Sequence, residues 1–394
     1  MVINIFIFVA VFFILALLIG KLIEKWKIPW IFSALLIGCI LSIKNPFTSI
    51  TSSPEFSFLS QLGMLFLLFV IGFEIDLKKL KKIAGFIVGA TFFIILVEAL
   101  VGTLIIHYLF GYAWLISFIV GISFATVGEG ILIPILEEFK LVNTKLGQTL
   151  LGIGTFDDIF EITILIVTII LLGTKYQTAS VQSNILIPLI ALGVLFILTA
   201  IFLKIPKKKE RFKFSNIETI FLFSLAVLFV FLGIGEFANS AALAAFLAGI
   251  SLKTFLPKER LENIESEMKS LCYGFFAPIF FLSVGLAMNI NYLFYSPLLI
   301  LIVFFASGLS KLIASYIMGA KQLGKKRSII LGIGLSVRFS TSLVIIKILL
   351  DNSLIRERLY TIIVASSILF TLIIPILFSK LVSRLKEAKK KDAK

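Results

Sequence analysis

Long apolar blocks are the feature of this sequence that most limits the folds open to it. Many blocks reach about 20 residues, the length that an α-helix needs to cross the hydrocarbon core of a bilayer. Of the 394 residues, 59% are hydrophobic and 15% are charged, whereas soluble domains carry about 25% charged residues. Because lipid cannot satisfy backbone polar groups, continuous apolar blocks indicate helices rather than the strands of a barrel. The chain is therefore predicted to be an all-α polytopic membrane protein.

Hydropathy predicts about thirteen transmembrane helices. The predicted spans cover residues 2–20, 29–44, 57–76, 83–110, 113–136, 147–173, 184–204, 215–234, 238–254, 271–289, 293–319, 328–350 and 358–384. Six spans precede the seventh and six follow it, which suits two inverted six-helix repeats joined by a linker helix. We therefore expect a single transmembrane domain over 1–394, divided into a first repeat (1–176), a linker helix with a basic loop (177–213), a second repeat (214–385) and a short cytoplasmic tail (386–394). The first span lacks a basic segment before it and a cleavage pattern, so we expect a retained helix rather than a signal peptide.

The basic residues predict an orientation. Of the 37 Lys and Arg residues, 30 fall on alternate connections and the tail, 4 on the opposite side and 3 within spans. By the positive-inside rule, the N-terminus is outside and the C-terminus is cytoplasmic, in a plasma (inner) membrane. The net charge of +15 is then an orientation signal, and nucleic acid is not an expected partner. Two cysteines and one histidine offer too few soft ligands for a metal centre or haem, so we expect neither a cofactor nor enzymatic activity.

Two spans carry residues that weaken a helix in the middle of the membrane. Span five contains the run FATVGEG at 124–130, and span twelve contains Gly332, Gly334 and a group of Ser and Thr residues up to Ser342. Each is the fifth span of its repeat, and transporters with inverted repeats bind substrate where a helix in each half is broken. We therefore predict a pair of crossed broken helices. The alternative is that small residues only allow close helix packing.

The adjacent acids Asp157 and Asp158 lie inside span six. Each carboxylate costs roughly 2.5–3.5 kcal/mol at a helix centre, so a functional role is the default interpretation; the alternative is a pair in the headgroup region. A carboxyl group in a low-dielectric cavity can hold a proton or a dehydrated alkali cation, but not readily both. Such competition, in a site that opens to each side in turn, is the chemistry of an antiporter.

Other charges lie at membrane depth. Lys311 is in the middle of span eleven and needs an anionic partner, for which an Asp of span six is the candidate; a purely structural ion pair is the alternative. Arg338, in the second broken helix, is expected either to neutralise helix-end carbonyl groups or to pair with Glu129. Glu98 and Glu161 are candidate accessory acids, the latter because it shares a helix face with Asp157.

Three runs carry a resemblance to a known family, and they lie at residues 63–77 (GMLFLLFVIGFEIDL), 241–249 (AALAAFLAG) and 278–286 (PIFFLSVGL). Together with the acidic pair, they make the chain similar to the cation:proton antiporter superfamily, in the branch of bacterial sodium/proton antiporters and potassium-efflux proteins. The similarity extends from about residue 10 to residue 380. Because the sequence is short after its last span, we expect the form without a C-terminal nucleotide-binding regulatory domain.

The resemblance implies a homodimer, with a scaffold domain and a mobile core domain in each protomer and elevator-like alternating access. It implies that Asp158 binds Na⁺ together with Asp157, that Thr126 lines the site and that Lys311 pairs with the first Asp. An Asp at position 157 implies electrogenic exchange. The run Val337-Arg338-Phe339-Ser340 departs from the Pro-Arg-Gly-Glu of many relatives, and Glu129 is an added acid that could replace the missing partner of Arg338.

We therefore predict a secondary active monovalent cation/proton antiporter, most simply a Na⁺ (or Li⁺)/H⁺ exchanger that serves pH homeostasis. The main alternative is a K⁺/H⁺ antiporter or a K⁺ efflux protein, although a channel would not need a titratable pair at its centre. An organic-anion symporter is a further alternative. It would tend to have a roomy cavity lined with Asn, Gln and Thr rather than grouped acids.

Overall fold

A computed structural model describes residues 4–26, 28–74, 85–125, 127–128, 132, 135–136, 139–142, 144–154, 156–157, 160, 186–204, 216–238, 240–256, 258–338 and 340–392. All regular structure within these ranges is helical. In chain order the helices are α1 (Ile5–Glu24), α2 (Phe32–Ile43), α3 (Thr48–Thr51), α4 (Pro54–Glu74), α5 (Gly85–Phe110), α6 (Trp114–Ile122), α7 (145–154), α8 (Leu186–Lys204), α9 (Ile217–Phe237), α10 (Ala241–Phe255), α11 (Lys258–Leu271), α12 (Ala277–Leu286), α13 (Asn291–Tyr295), α14 (Pro297–Leu323), α15 (Lys325–Leu335), α16 (Ser340–Asp351) and α17 (Glu357–Asp392).

Several of these helices are long and apolar enough to cross a membrane. Over the described ranges, seven helical segments have the length and hydropathy of a span, and three shorter apolar helices accompany them. This confirms the predicted all-α polytopic fold. Most of predicted span six and the basic loop at 205–213 lie outside the described residues, so the total of thirteen spans and the repeat boundaries stay predictions.

One predicted connection is itself a helix. The charged segment between spans nine and ten forms α11, which continues through a π-helical turn at Cys272–Phe276 into α12. Lys269 and Glu265, one turn apart on α11, form an ion pair at 2.8 Å, and such pairs support a polar helix. Hydropathy detects only the apolar end of this helix.

The chain divides into two compact units, of which the first comprises 1–8, 47–78 and 165–283. In it, α4 packs against α10. A Cβ on Gly249 would lie 2.2 Å from the carbonyl oxygen of Phe69, so only glycine allows these two backbones to approach so closely. The start of α4 is set by Pro54 in its first turn and by the Ser53 hydroxyl, which accepts a hydrogen bond from the Phe56 N–H at 3.2 Å.

The second unit comprises 9–46, 79–164 and 284–394. Its central helix is α14, which packs against α5, α15 and α17. The chain reverses between α14 and α15 at Gly324, whose φ of +84° favours glycine. This arrangement brings the middle of α5, the middle of α14 and the end of α15 together inside one unit.

Candidate functional site

The two interrupted helices meet in the second unit. The first, α6, ends at Ile122, and the second, α15, ends at Leu335 before α16 starts at Ser340. Between these ends, the Gly128 N–H donates a hydrogen bond of 2.7 Å to the Val337 carbonyl. A backbone group that loses its helical partner at a break needs another partner inside a membrane. Here the N–H group at the first break bonds to the carbonyl group at the second. The predicted pair of crossed broken helices is confirmed.

Glu98 lies beside this crossing and is fully buried in α5. Its Oε1 accepts a hydrogen bond of 2.6 Å from the Ser307 hydroxyl and another from Arg338 Nη2. Its Oε2 lies 3.1 Å from Lys311 Nζ. Ser307 and Lys311 are one turn apart on α14 and therefore share the face that meets α5.

Lys311 connects this carboxylate to the first broken helix. Its Nζ donates a hydrogen bond of 2.8 Å to the Ala125 carbonyl, which follows the end of α6. The C-terminal end of a helix carries partial negative charge, so an ammonium group is stabilising there. Lys311 is thus attracted by an ionised side chain and by a helix end at once.

Arg338 connects the same carboxylate to the second broken helix. Its guanidinium lies over the ring of Phe370 at 4.4 Å and near that of Phe124 at 5.4 Å. These are favourable cation–π distances in a desolvated place. Its backbone carbonyl accepts a hydrogen bond of 2.5 Å from the Thr371 hydroxyl of α17. Arg338 is therefore held at both its side chain and its main chain.

Only some of the predicted site residues lie in the described part of the chain. Asp157 is buried, with 2% of its surface exposed, in the same unit as Glu98, Lys311 and Arg338. Thr126, Glu129, Asp158 and Glu161 lie outside the described residues. The expected Asp–Lys pair and the pairing of Arg338 with Glu129 thus stay predictions.

The contacts of Glu98 were not anticipated from the sequence. Glu98 stood out only as an acid at membrane depth, whereas the structure places both Lys311 and Arg338 on it. Ser307, Phe370 and Thr371 were missed altogether, because serine, threonine and phenylalanine are ordinary residues of apolar helices. The one signal that could have found Ser307 is its spacing of one turn before Lys311.

The cluster of Glu98, Lys311 and Arg338 joins one acidic side chain to two basic ones. One carboxylate and two cations are in contact, with exposed fractions of 0% for Glu98, 1% for Lys311 and 1% for Arg338. Buried charges must be paired and hydrogen-bonded to be tolerated. Glu98 therefore acts as the common anion between two positively charged side chains, each of which reaches a different broken helix. Within the described residues, no group of three or more His, Cys, Asp or Glu side chains could hold a metal ion.

Comparisons with known proteins agree with this architecture. The family model described as "Sodium/hydrogen exchanger, transmembrane" matches residues 7–384. A Na⁺/H⁺ antiporter of Enterococcus hirae is 32% identical over 81% of this chain and 82% of that protein. The glutathione-regulated potassium-efflux system protein KefC of Shigella flexneri is 26% identical over 68% of this chain and 43% of that protein.

A solved structure extends the similarity to the fold. The sodium proton antiporter MjNhaP1 of Methanocaldococcus jannaschii, whose structure was determined at pH 8, matches with a TM-score of 0.61. The match covers 97% of this chain and 95% of that one at 22% sequence identity. The family model, which spans nearly the whole sequence, and the shared fold lead to one conclusion: the chain belongs to the sodium/hydrogen exchanger family of transmembrane proteins.

Proposed function

We propose that this protein exchanges Na⁺ or Li⁺ for protons across the plasma membrane, electrogenically and by elevator-type alternating access. One observation carries the proposal: two broken helices cross beside a buried cluster of Glu98, Lys311 and Arg338. Buried ionisable groups at membrane depth are costly and mark ion pathways. Crossed broken helices are where transporters with inverted repeats hold their substrates.

The exchange itself is assigned to Asp157 and Asp158, with Thr126 lining the site. A carboxylate in a dry cavity can be neutralised by a proton or by a hard monovalent cation, and the two compete. Each cation that arrives displaces protons, and each proton that arrives displaces the cation. Release of protons from two acids for one Na⁺ would move net charge, which is the basis for electrogenic exchange.

Sodium is favoured over potassium by the similar proteins. The relative from Enterococcus hirae, which is named a Na⁺/H⁺ antiporter, is similar over a larger share of both chains than the potassium-efflux protein. K⁺/H⁺ exchange is the second candidate, supported by the similarity to KefC. Within the proposal, the protein works as a homodimer with its C-terminus in the cytoplasm, and the part of the chain that carries the site moves relative to the membrane.

The test is exchange by the purified protein in proteoliposomes that contain a pH-sensitive dye. Addition of Na⁺ or Li⁺ outside should drive proton efflux, while K⁺ and Rb⁺ should drive little. An imposed membrane potential should change the rate, because net charge crosses in each cycle. Cation flux without proton movement would instead indicate a uniporter or channel, and equal responses to Na⁺ and K⁺ would overturn the proposed selectivity.

The residue assignment is tested with Asp158→Asn, which keeps the shape of the side chain and removes its charge. Exchange should fall to the level of empty liposomes while the protein still purifies as a folded species. The matched control is Asp351→Asn, which neutralises an exposed Asp on α16 that pairs with Lys347. Full exchange by the Asp158→Asn protein would contradict the assignment.

A further inference from the structure

An apolar groove in the second unit is lined by α17 and by the connection between α1 and α2. Its volume is about 470 Å³, which is within the range of ligand pockets. The apolar side chains that line it come from both elements and are Trp26, Ile28, Leu372, Ile373, Ile376 and Leu377. Lys380 lines it as well and is the charged member of the described lining. The groove is therefore an apolar slot with a cation at one side.

The residues that α17 contributes follow the helical repeat. Ile373, Ile376 and Leu377 have exposed fractions of 40–43% although they are apolar. Lys380 and Arg384 continue the same face at spacings of three to four residues, and both are exposed. An apolar stripe that ends in basic residues is typical of a helix where it leaves the hydrocarbon region, because long basic side chains reach for the headgroups there.

Trp26 indicates the same level of the membrane from the other element. It lies in the turn after α1, where its N–H donates a hydrogen bond of 2.9 Å to the Ile23 carbonyl, and 59% of its surface is exposed. Tryptophan is enriched at the interface between hydrocarbon and water, where its ring is apolar on one side and wet on the other. Trp26 and Lys380 thus agree that the groove opens at the depth of the lipid headgroups.

The charge around the groove is positive. No Asp or Glu is among the described residues that line it. Glu24 and Lys25, both exposed at the end of α1, offset each other, whereas residues 380–394 contain seven Lys and Arg residues against two acids. The predicted orientation puts this end in the cytoplasm, and the anionic lipids of that leaflet attract basic residues by about 1 kcal/mol each. A ligand with an apolar chain and a negative headgroup complements both parts of the groove.

We propose that this groove binds one anionic phospholipid, with an acyl chain along the apolar face of α17 and the phosphate group at Lys380 and Arg384. Basic pockets beside transmembrane helices on the cytoplasmic side bind headgroups of this kind. A zwitterionic phospholipid offers the same chains but carries its own cation next to the phosphate, so it satisfies only the apolar part. The inference does not depend on which ion the protein exchanges, because it uses none of the residues assigned to the exchange.

The experiment is a titration of the purified full-length protein in detergent with phosphatidylglycerol, phosphatidylcholine or glycerol phosphate. A ligand that binds the folded state raises the melting temperature according to its concentration relative to Kd. Phosphatidylglycerol should stabilise the protein saturably, and native mass spectrometry should show one tightly held molecule per protomer. Equal stabilisation by phosphatidylcholine would overturn the need for a negative headgroup. Equal stabilisation by glycerol phosphate would indicate a site for free phosphate and overturn the lipid assignment.

The headgroup contacts are tested by removing the basic residues of α17. Lys380→Gln should raise the Kd for phosphatidylglycerol about fivefold, and K380Q/R384Q about 25-fold, since each basic residue contributes about one factor of five. The matched control is K325Q/K326Q, which removes two exposed basic residues at the start of α15 on the same predicted side of the membrane. That protein should keep its Kd within about twofold. An equal loss of affinity in the control would indicate general attraction to a basic surface and overturn the proposal.

The apolar part is tested by filling the groove while the basic residues stay in place. Ile376→Trp puts a bulky ring where the acyl chain should lie, so the Kd for phosphatidylglycerol should rise about tenfold. Ile317→Trp is the control, because Ile317 is 56% exposed on α14 and does not line the groove. Trp26→Ala, which removes part of the lining from the other element, should also weaken binding and serves if Ile376→Trp does not fold. Unchanged affinity in these variants would show that the groove is not used.

A second copy of the chain is the other occupant that an apolar groove could have. In that case Ile376→Trp should lower the molar mass measured by light scattering, and phosphatidylglycerol should not stabilise the unmodified protein. That result would overturn the proposal. An unchanged molar mass, together with weaker lipid binding in K380Q/R384Q and Ile376→Trp but not in their controls, is the expected outcome. The measurements involve no transport, so failure of the proposed exchange would leave them unaffected.

Discussion

At the scale of single residues, the buried acid Glu98 brings three polar side chains together in the second unit. Removal of one partner from a buried ion pair typically costs about 3–5 kcal/mol, because the other charge is left uncompensated. Glu98 has two such partners, Lys311 and Arg338, and a hydroxyl donor in Ser307. Each side chain of this cluster is therefore costly to remove.

Ser307→Ala should destabilise the protein more than an equivalent change elsewhere on α14. It removes a hydrogen bond to an ionised carboxylate, which is worth about 1.5–3 kcal/mol, and should lower the melting temperature in detergent. The control is Ser310→Ala on the same helix, where the hydroxyl donates only to the Ser307 carbonyl within the helix at 2.8 Å. Equal melting temperatures for the two variants would show that the Ser307 hydroxyl does not support the cluster.

At the scale of helices, the position of the first broken helix depends on two close backbone approaches. A Cβ on Gly121 would lie 2.6 Å from the Ala99 carbonyl oxygen, and a Cβ on Gly102 would lie 2.7 Å from the Gly121 Cα. Small residues at helix contacts let the backbones approach closely in membranes. Because α5 also carries Glu98, this contact places the end of α6 beside the charged cluster.

Gly121→Ala should therefore displace α6 and affect both folding and exchange. The added methyl group meets backbone atoms of α5, which cannot move aside as a side chain can, so we expect a lower melting temperature and a slower maximal exchange rate. Gly89→Ala is the control on α5, because nothing lies within 4 Å of the added Cβ. There alanine should be neutral or stabilise the helix by up to about 1 kcal/mol. A Gly121→Ala protein as stable and active as the Gly89→Ala protein would contradict this account.

At the scale of the whole molecule, the family assignment and the all-helical fold describe a polytopic transporter, while its orientation is still predicted from the basic residues. The predicted topology puts the C-terminal tail in the cytoplasm and the connection between α16 and α17 outside. These two regions lie at the two ends of one helix, α17, whose last residues at 386–392 form most of the predicted tail, so one pair of probes tests the topology of the last span.

Two single-cysteine proteins should react with an impermeant maleimide from opposite sides of the membrane. In a background in which the free cysteines Cys39 and Cys272 are replaced by serine, Arg356→Cys should be labelled in intact cells. Lys389→Cys should be labelled only in inverted vesicles or after permeabilisation. Labelling of Lys389→Cys in intact cells, or of both positions from the same side, would refute the predicted orientation.

Much of the fold followed from the sequence because lipid leaves few alternatives to the helix. Apolar blocks of sufficient length had to be helical, and the glycine and polar residues within spans five and twelve indicated where two helices break. Hydropathy did not reveal α11, because that helix is polar and is stabilised by charge pairs such as Lys269–Glu265. Hydropathy measures transfer into lipid, and a segment as charged as α11 gives no such signal.

For the candidate site, the sequence indicated which charged residues lie at membrane depth but not how they contact one another. The presence of Glu98, Asp157, Lys311 and Arg338 at membrane depth could be deduced, since charges in apolar helices are rare and costly. Which charge contacts which depended on the tertiary structure, because Glu98 and Arg338 are 240 positions apart in the chain. Pairing over such a distance is decided by how α5, α14 and the end of α15 pack, and that packing depends on close contacts between particular backbones rather than on hydropathy.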